Sequence, residues 1–357
     1  MPLVAAVFTI PKLIGALGDS RFGLLTLIWA VVSYFGLFDL GLGRALTQQL
    51  AIRLAKKEFL QIGPLVGTAI IIMTALGLLA GLIMAASAPW GVSLINSVPN
   101  KQEAIYAVYA MALAMPFIVL TSGFRGILEA CHAFGIINAI RLPMGLFTFI
   151  GPVLVVFYWQ PRLDLIATVL SVGRLIACAV HAYFAWRVLP KLHGPIHWEP
   201  KLLKHLSVSG GWLTVSNIVS PLMTYVDRFL IGAIVSASAV AYYVTPHELI
   251  TKLWIVPGAL TAVLFPTFAA QMSQRSDGAA NLYQRVLYWL YFILLPITLA
   301  SALFADLLLT LWINKDFAQQ SARLLQIFSL GMFVTCLANI PDRKSTRLNS
   351  SHLGISR

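Results

Sequence analysis

The chain has 357 residues, of which 59% are hydrophobic and only 11% charged, with a formal net charge of +12. Its mean hydropathy is +0.83. A water-soluble domain carries about a quarter charged residues, so composition excludes a soluble fold and points to an all-α polytopic membrane protein, a transmembrane helix bundle whose apolar surface is solvated by lipid. Three scattered cysteines, Cys131, Cys178 and Cys336, have neither disulfide-framework nor metal-site spacing.

Ten apolar stretches of spanning length are predicted in chain order: 2–17, 22–43, 62–86, 104–122, 142–159, 164–189, 208–234, 238–268, 284–311 and 320–340. The first is short for a span of about 20 residues, and the expectation is that the natural start lies upstream. Met1 runs straight into this stretch with no basic region before it, and it is not expected to be a cleavable signal peptide. Residues 342–352 match the in-frame translation of a common sequencing-adapter oligonucleotide. Residues 342–357 are therefore expected to be an adapter-derived artefact, with the natural chain continuing beyond Pro341. Four basic residues and one acid lie in that tail, so +12 less a net +3 leaves +9 for 1–341.

The loops sort by charge. The even-numbered loops carry Arg44, Arg53, Lys56, Lys57, Arg125, Arg141, Arg187, Lys191, Lys201, Lys204, Arg275 and Arg285; the odd ones carry Arg21, Lys101, Arg162 and Lys315. Lys and Arg are retained on the cytoplasmic side, so the even loops and the N-terminus are expected inside. The basic pI is then explained without a nucleic-acid partner. The longest loop divides a six-helix N-terminal lobe (1–190) from a partial C-terminal lobe of four helices (208–341), with 191–207 as a cytoplasmic inter-lobe loop. A parallel-repeat transporter would have this organisation, and Ile14-Gly15-Ala16-Leu17 against Ile231-Gly232-Ala233-Ile234 is a faint internal echo.

Three successive spans each carry one polar stripe. Asp164, Thr168, Ser171, Arg174, Cys178 and His181 recur at steps of three and four in the sixth. Asn217, Ser220, Thr224 and Asp227 do so in the seventh, and Tyr242, Thr245, Glu248 and Lys252 in the eighth. Such spacing places each set on one helical face. Two readings stand side by side: a hydrated cavity, which the ionisable members favour, and hydrogen bonding between helices. Glu248 and Lys252, at i and i+4, can neutralise one another. Asp227 and Arg228 lie about 100° apart on a helix, so at least one needs a further partner. Pro11, Pro221, Pro246 and Pro257, with Gly36, Gly41 and Gly43, interrupt the spans, either as in transporters that bend or bind there or because Pro and Gly are simply commoner in membrane helices. Asp39 sits near the inner end of the second span, either as an ion site or as an interfacial partner of Arg44.

No His-Glu-x-x-His, Cys-x-x-Cys, Gly-x-Ser-x-Gly or phosphate-binding Gly-Lys-Ser/Thr sequence occurs. No catalytic residue, metal site or cofactor is therefore expected.

The segments Ile10-Pro11-Lys12-Leu13-Ile14-Gly15-Ala16-Leu17-Gly18-Asp19-Ser20-Arg21-Phe22-Gly23 and Tyr34-Phe35-Gly36-Leu37-Phe38-Asp39-Leu40-Gly41-Leu42-Gly43-Arg44 resemble the start of bacterial O-antigen and polysaccharide flippases. So do Phe124–Glu129, Gly211–Asn217, Asp227–Gly232, and the positions Tyr243, Pro246, Glu248, Pro257 and Phe265-Pro266. The resemblance covers nearly all of 1–341 and lies in the polysaccharide branch of the multidrug/oligosaccharidyl-lipid/polysaccharide exporter superfamily. It implies a two-lobed exporter bundle in the bacterial cytoplasmic membrane that moves undecaprenyl-pyrophosphate-linked oligosaccharide outward on an ion gradient. Its partners would be that lipid-linked oligosaccharide, membrane lipids, H+ or Na+, a polysaccharide polymerase and a chain-length regulator. On that reading Arg174, Arg228 and Lys252, with Asn217 and Thr224, meet the substrate, and Asp39, Asp227 or Glu248 carries the coupling ion. A multidrug or small-molecule exporter of the same superfamily is the alternative. A membrane polysaccharide polymerase or ligase ranks last, since no outside loop is large enough for its chemistry.

Overall fold

The structure is a computed structural model and describes residues 2–35, 41–189, 199, 219, 223–260 and 278–353. Its regular elements are all helical among the described residues. In order they are α1 (Pro2–Leu17), α2 (Asp19–Phe35), α3 (Leu42–Ala55), α4 (Ile62–Leu94), α5 (Lys101–Ala130), α6 (Phe134–Tyr158), α7 (Leu163–Val188), α8 (Ala237–Thr251), α9 (Gly278–Leu303), α10 (Ala305–Trp312) and α11 (Lys315–Leu353). Residues 223–234 form a further helical stretch ahead of α8.

Among the described residues, six helices are long and apolar enough to cross a membrane: the one ending at Leu94, then α5, α6, α7, and the segments Gln284–Leu303 and Lys315–Ala338. They include four of the predicted spans from the middle of the chain and the last of all. α4 alone has 33 residues without a charged side chain, about 50 Å at 1.5 Å per residue. Three expectations are corrected. The segment 44–61, predicted as a loop, contains α3, because Leu42, Leu46 and Leu50 recur at i, i+4 and i+8 and bury with Ala45 against α4 and α5. The predicted second span does not run to 43 as one helix, because Gly41, just ahead of α3, has a φ of 73°, the left-handed conformation that suits glycine. The predicted stretch 284–311 is likewise divided between α9 and α10.

The described residues form two compact units that divide between Ala241 and Tyr242. In the first, small residues let long helices approach closely. A Cβ added at Gly77 of α4 would lie 2.5 Å from Pro116 Cα of α5, and one at Gly81 would lie 2.7 Å from Ala112 O. This Gly-x-x-x-Gly pair is the small-residue packing that replaces the hydrophobic drive lost in lipid.

The loops of the first unit gather at two ends. At one, Arg21 ahead of α2's core, Glu103 in the first turn of α5 and Leu163 at the start of α7 come together. At the other, Thr47 of α3 donates to Gly126 O of α5 at 3.1 Å, and Thr68 Oγ1 near the start of α4 accepts from Glu199 N at 3.0 Å. The loops predicted as odd and even are thus separated in the first unit.

The second unit is built on Leu290 and Leu294 of α9, Ala305 and Leu309 of α10, and Ala318, Leu325 and Cys336 of α11, with Ile250 of α8. Tyr243 and His247 stack at 5.8 Å, and Phe328 meets both edge-on.

Candidate functional site: the polar groups of the spans

The stripe of α7 resolves into distinct environments. Asp164 lies in the first helical turn and takes a bidentate pair from Arg162, with Nη2 to Oδ2 at 2.6 Å and Nε to Oδ1 at 3.1 Å. It is an end-of-helix ion pair that also suits the positive end of the helix dipole. Thr168 donates to Asp164 O one turn back. Ser171 Oγ donates to Ala110 O of α5 at 2.7 Å. His181 Nδ1 donates to Ala177 O at 2.8 Å, which places its proton on that nitrogen because a carbonyl only accepts. Ser171 therefore ties α7 to α5.

Arg174 differs from its stripe neighbours. It is half-buried, and no described residue gives it a hydrogen bond or an ion pair. It stands eleven residues along α7 from Leu163, about 16 Å at 1.5 Å per residue, near the middle of a 26-residue apolar helix. A guanidinium at that depth is costly without water or an anion.

In the stretch 223–234, Arg228 is buried and its Cζ lies 4.9 Å from the centre of the Tyr225 ring. This is a cation–π contact one turn back along the same helix. Asp227 Oδ1 accepts from the Arg228 backbone N at 2.8 Å, so the two neighbours meet through the main chain. Thr224 is exposed. In the second unit, Lys252 Nζ and Glu248 Oε2 pair at 2.6 Å with both side chains more than a third exposed, the mutual neutralisation that their spacing allows. Asp39 and Asn217 lie outside the described residues. No described contact joins Arg174 to Asp227 or Arg228.

Two charged positions were not singled out by the stripes. Lys12 is exposed on α1, on the face it shares with Val4 and Phe8 and opposite the buried Ile10, Leu13, Ile14 and Leu17. Its signal was the i, i+4, i+8 spacing of Val4, Phe8 and Lys12, which counting charges by loop passes over. Glu103 is only 4% exposed and accepts from Arg21 Nη2 at 3.0 Å and from Leu163 N at 2.7 Å. No local pattern pointed to it, because both partners come from distant parts of the chain.

A helix bundle with these lengths and this order is the fold of the MOP-superfamily transporters. A solved multidrug-resistance MATE transporter of that superfamily, in its inward-facing conformation, superposes with a TM-score of 0.72 at 16% identity, over 94% of this chain and 81% of its own. A MOP-superfamily transporter from Pyrococcus furiosus gives 0.56 at 17% identity, over 94% and 77%. The family model for polysaccharide biosynthesis proteins matches residues 16–322, and the chain belongs to that family. It is also 29% identical, over 99% of its length and 83% of the relative's, to a Shigella flexneri protein described as a candidate O-antigen transporter.

Proposed function

We propose that this protein translocates an undecaprenyl-pyrophosphate-linked oligosaccharide, an O-antigen or capsule-type repeat unit, from the cytoplasmic to the periplasmic leaflet. The observation that carries the reading is Arg174: a cation without a described partner, at mid-helix in an apolar bundle whose family serves polysaccharide biosynthesis. A pyrophosphate esterified at both ends is a dianionic group with many acceptor oxygens, and a guanidinium in a low-dielectric cavity binds such a group through charge-assisted hydrogen bonds. Lys12, exposed on α1, and Arg228, held over Tyr225, add positive charge in the same unit. Asn217 and Thr224 would contact the sugar, while Asp39, Asp227 or Glu248 carries the coupling H+ or Na+.

The excess of Lys and Arg in the even loops supports a cytoplasmic N-terminus in the bacterial inner membrane. The lobes 1–190 and 208–341 would then move about the 191–207 loop. A polymerase and a chain-length regulator would take the product on the far side.

The test is to replace Arg174, Arg228 and Lys252 singly by Gln and to measure surface polysaccharide in cells. The expected result is loss of export for at least Arg174→Gln. Unchanged export in all three would sink the cation role. The fold of the multidrug-resistance transporters favours a second reading, export of small toxic cations, and efflux of such compounds by cells that make no polysaccharide would establish it instead.

A further inference from the structure

The two sides of α7 are unlike. One side is buried and carries Ser171, Cys178 and His181, with the half-buried Arg174 among them. Tyr183 lies nine residues past Arg174, about two and a half turns along the helix and so on the opposite side. That opposite side is exposed and apolar over Val172, Leu175, Ile176 and Ala179, then ends in the exposed residues Tyr183, Trp186 and Arg187. Tyr183 stands twenty residues beyond Leu163, about 30 Å at 1.5 Å per residue, which is the thickness of the hydrocarbon core of a bilayer. An apolar face of that length, closed by aromatic and basic side chains, puts Tyr183, Trp186 and Arg187 at the level of the lipid headgroups.

The three side chains make one donor surface. Arg187 Cζ lies 5.7 Å from the centre of the Tyr183 ring, a cation–π contact, and Arg187 Nη1 donates to Tyr183 Oη at 3.3 Å. Phe184 meets the Tyr183 ring edge-on at 5.3 Å. The guanidinium is thus oriented by a neutral neighbour, and no described carboxylate pairs with it. Arg125 and Arg162 differ, because Glu129 and Asp164 answer their charges within the chain. Since Tyr183 Oη accepts from Arg187, its own proton is left to donate, and no described residue accepts from the Trp186 indole N–H. The patch therefore offers guanidinium, phenol and indole donors with one full positive charge. Its chemical complement is an oxyanion rich in acceptors, above all a phosphate.

We propose that Tyr183, Trp186 and Arg187 form a headgroup site for an anionic glycerophospholipid, with its phosphate on Arg187 and Tyr183 and its acyl chains along Val172, Leu175, Ile176 and Ala179. Charge and position choose this occupant. Basic residues at a membrane surface attract anionic lipids, and the apolar track runs from the donors into the depth of the bilayer. A zwitterionic headgroup gains less, because no described carboxylate at the patch meets its ammonium. The transported molecule is not the occupant, since Arg174, the cation of the translocation reading, lies on the other side of the helix. The site stands independently of that reading, and the bound lipid holds the end of the helix that carries Arg174.

The test uses the full chain, purified in detergent and stripped of lipid, with phosphatidylglycerol as the probe and native mass spectrometry as the readout. The wild type is expected to retain phosphatidylglycerol in preference to phosphatidylcholine. Arg187→Gln should weaken that retention about fivefold, the effect of one basic residue at an anionic lipid surface. Arg187→Lys should fall between, since it keeps the charge and loses the fork. Lys101→Gln, an exposed lysine at the start of α5 and the opposite end of the unit, should leave retention unchanged. Equal retention by wild type and Arg187→Gln, an equal fall in Lys101→Gln, or phosphatidylcholine held as well as phosphatidylglycerol overturns the site. A second measurement reports the place. The emission lost in Trp186→Phe isolates Trp186, and in nanodiscs it should be quenched more by phosphatidylglycerol with brominated chains than by brominated phosphatidylcholine; equal quenching overturns the site. Displacement of phosphatidylglycerol by undecaprenyl phosphate, again through Arg187, would make the patch a substrate station and overturn the phospholipid assignment.

Discussion

Glu103 Oε2 accepts from Arg21 Nη2 at 3.0 Å while its other oxygen takes the Leu163 N–H at 2.7 Å, so one buried carboxylate closes the ends of α2, α5 and α7. Glu103→Gln keeps an acceptor for Leu163 but loses the charge facing Arg21, which is itself about one-third exposed. The expected loss is about 1–2 kcal/mol. Glu103→Ala leaves the Leu163 N–H unsatisfied as well and should cost more. Thermal unfolding of detergent-solubilised protein checks the order; equal midpoints for the two variants would contradict the Leu163 contribution.

The α4–α5 interlock predicts opposite outcomes for two glycines of one helix. Gly77→Ala pushes a methyl against the Pro116 backbone and is expected to destabilise by about 1–3 kcal/mol. Gly91→Ala meets nothing within 4 Å and should be neutral or slightly stabilising, as alanine is the better helix former. The folded fraction after heating in detergent reads both.

Arg174 should separate function from stability. A guanidinium without a partner in a span is a cost to the fold, so Arg174→Gln is expected to leave the unfolding midpoint unchanged or higher. Polysaccharide export should fall roughly tenfold or more, the loss of a charge-assisted hydrogen bond to the substrate, with Arg174→Lys intermediate. A fall in midpoint that parallels the fall in export would make Arg174 a structural residue.

Glu248 and Lys252 form a partly exposed i, i+4 pair, with the acid on the N-terminal side. Pairs of this kind contribute about 0.3–0.5 kcal/mol. Lys252→Gln should therefore move stability by less than about 1 kcal/mol. A double-mutant cycle with Glu248→Gln measures the pair's own share, and a coupling energy well above about 1 kcal/mol would contradict it.

Burial pushes the Cys131 thiol, at the C-cap of α5, above its ordinary pKa. Less thiolate is then present at neutral pH, so maleimide labelling of Cys131 should be slow at pH 7 and still be rising at pH 9. A rate that has levelled off by pH 8.5 would contradict this.

Much of the architecture was legible because hydropathy and charge act locally. A helix such as α4, apolar from end to end, has to lie in lipid wherever its neighbours are. The alternation of basic and charge-poor loops is matched by the separation of Arg21, Glu103 and Leu163 from Thr47, Gly126 and Thr68. Where local reasoning failed, packing overrode polarity. The basic segment holding Arg44, Arg53 and Lys56 read as loop, yet its Leu42–Leu46–Leu50 face is buried, and it folds as α3. The stripe of α7 was legible as a face. That Ser171 meets Ala110 while Arg174 has no described hydrogen-bond or ion-pair partner was not, since helical spacing sets an angle about the helix's own axis and is silent on which neighbour stands at that angle.

The sequence by itself determined that this protein is a polytopic helix bundle, roughly where its spans fall, and which family it joins, because these follow from composition, periodicity and short motifs along the chain. Only the tertiary structure decided which polar groups are partnered. It set Glu103 between Arg21 and Leu163, Arg228 over Tyr225, and Asn96 against Gly232, Ala233 and Ala237. Two of these three arrangements join residues from 60 to more than 130 positions apart. Such contacts depend on how several helices pack at once, and no stretch of sequence short enough to show a periodicity contains both partners.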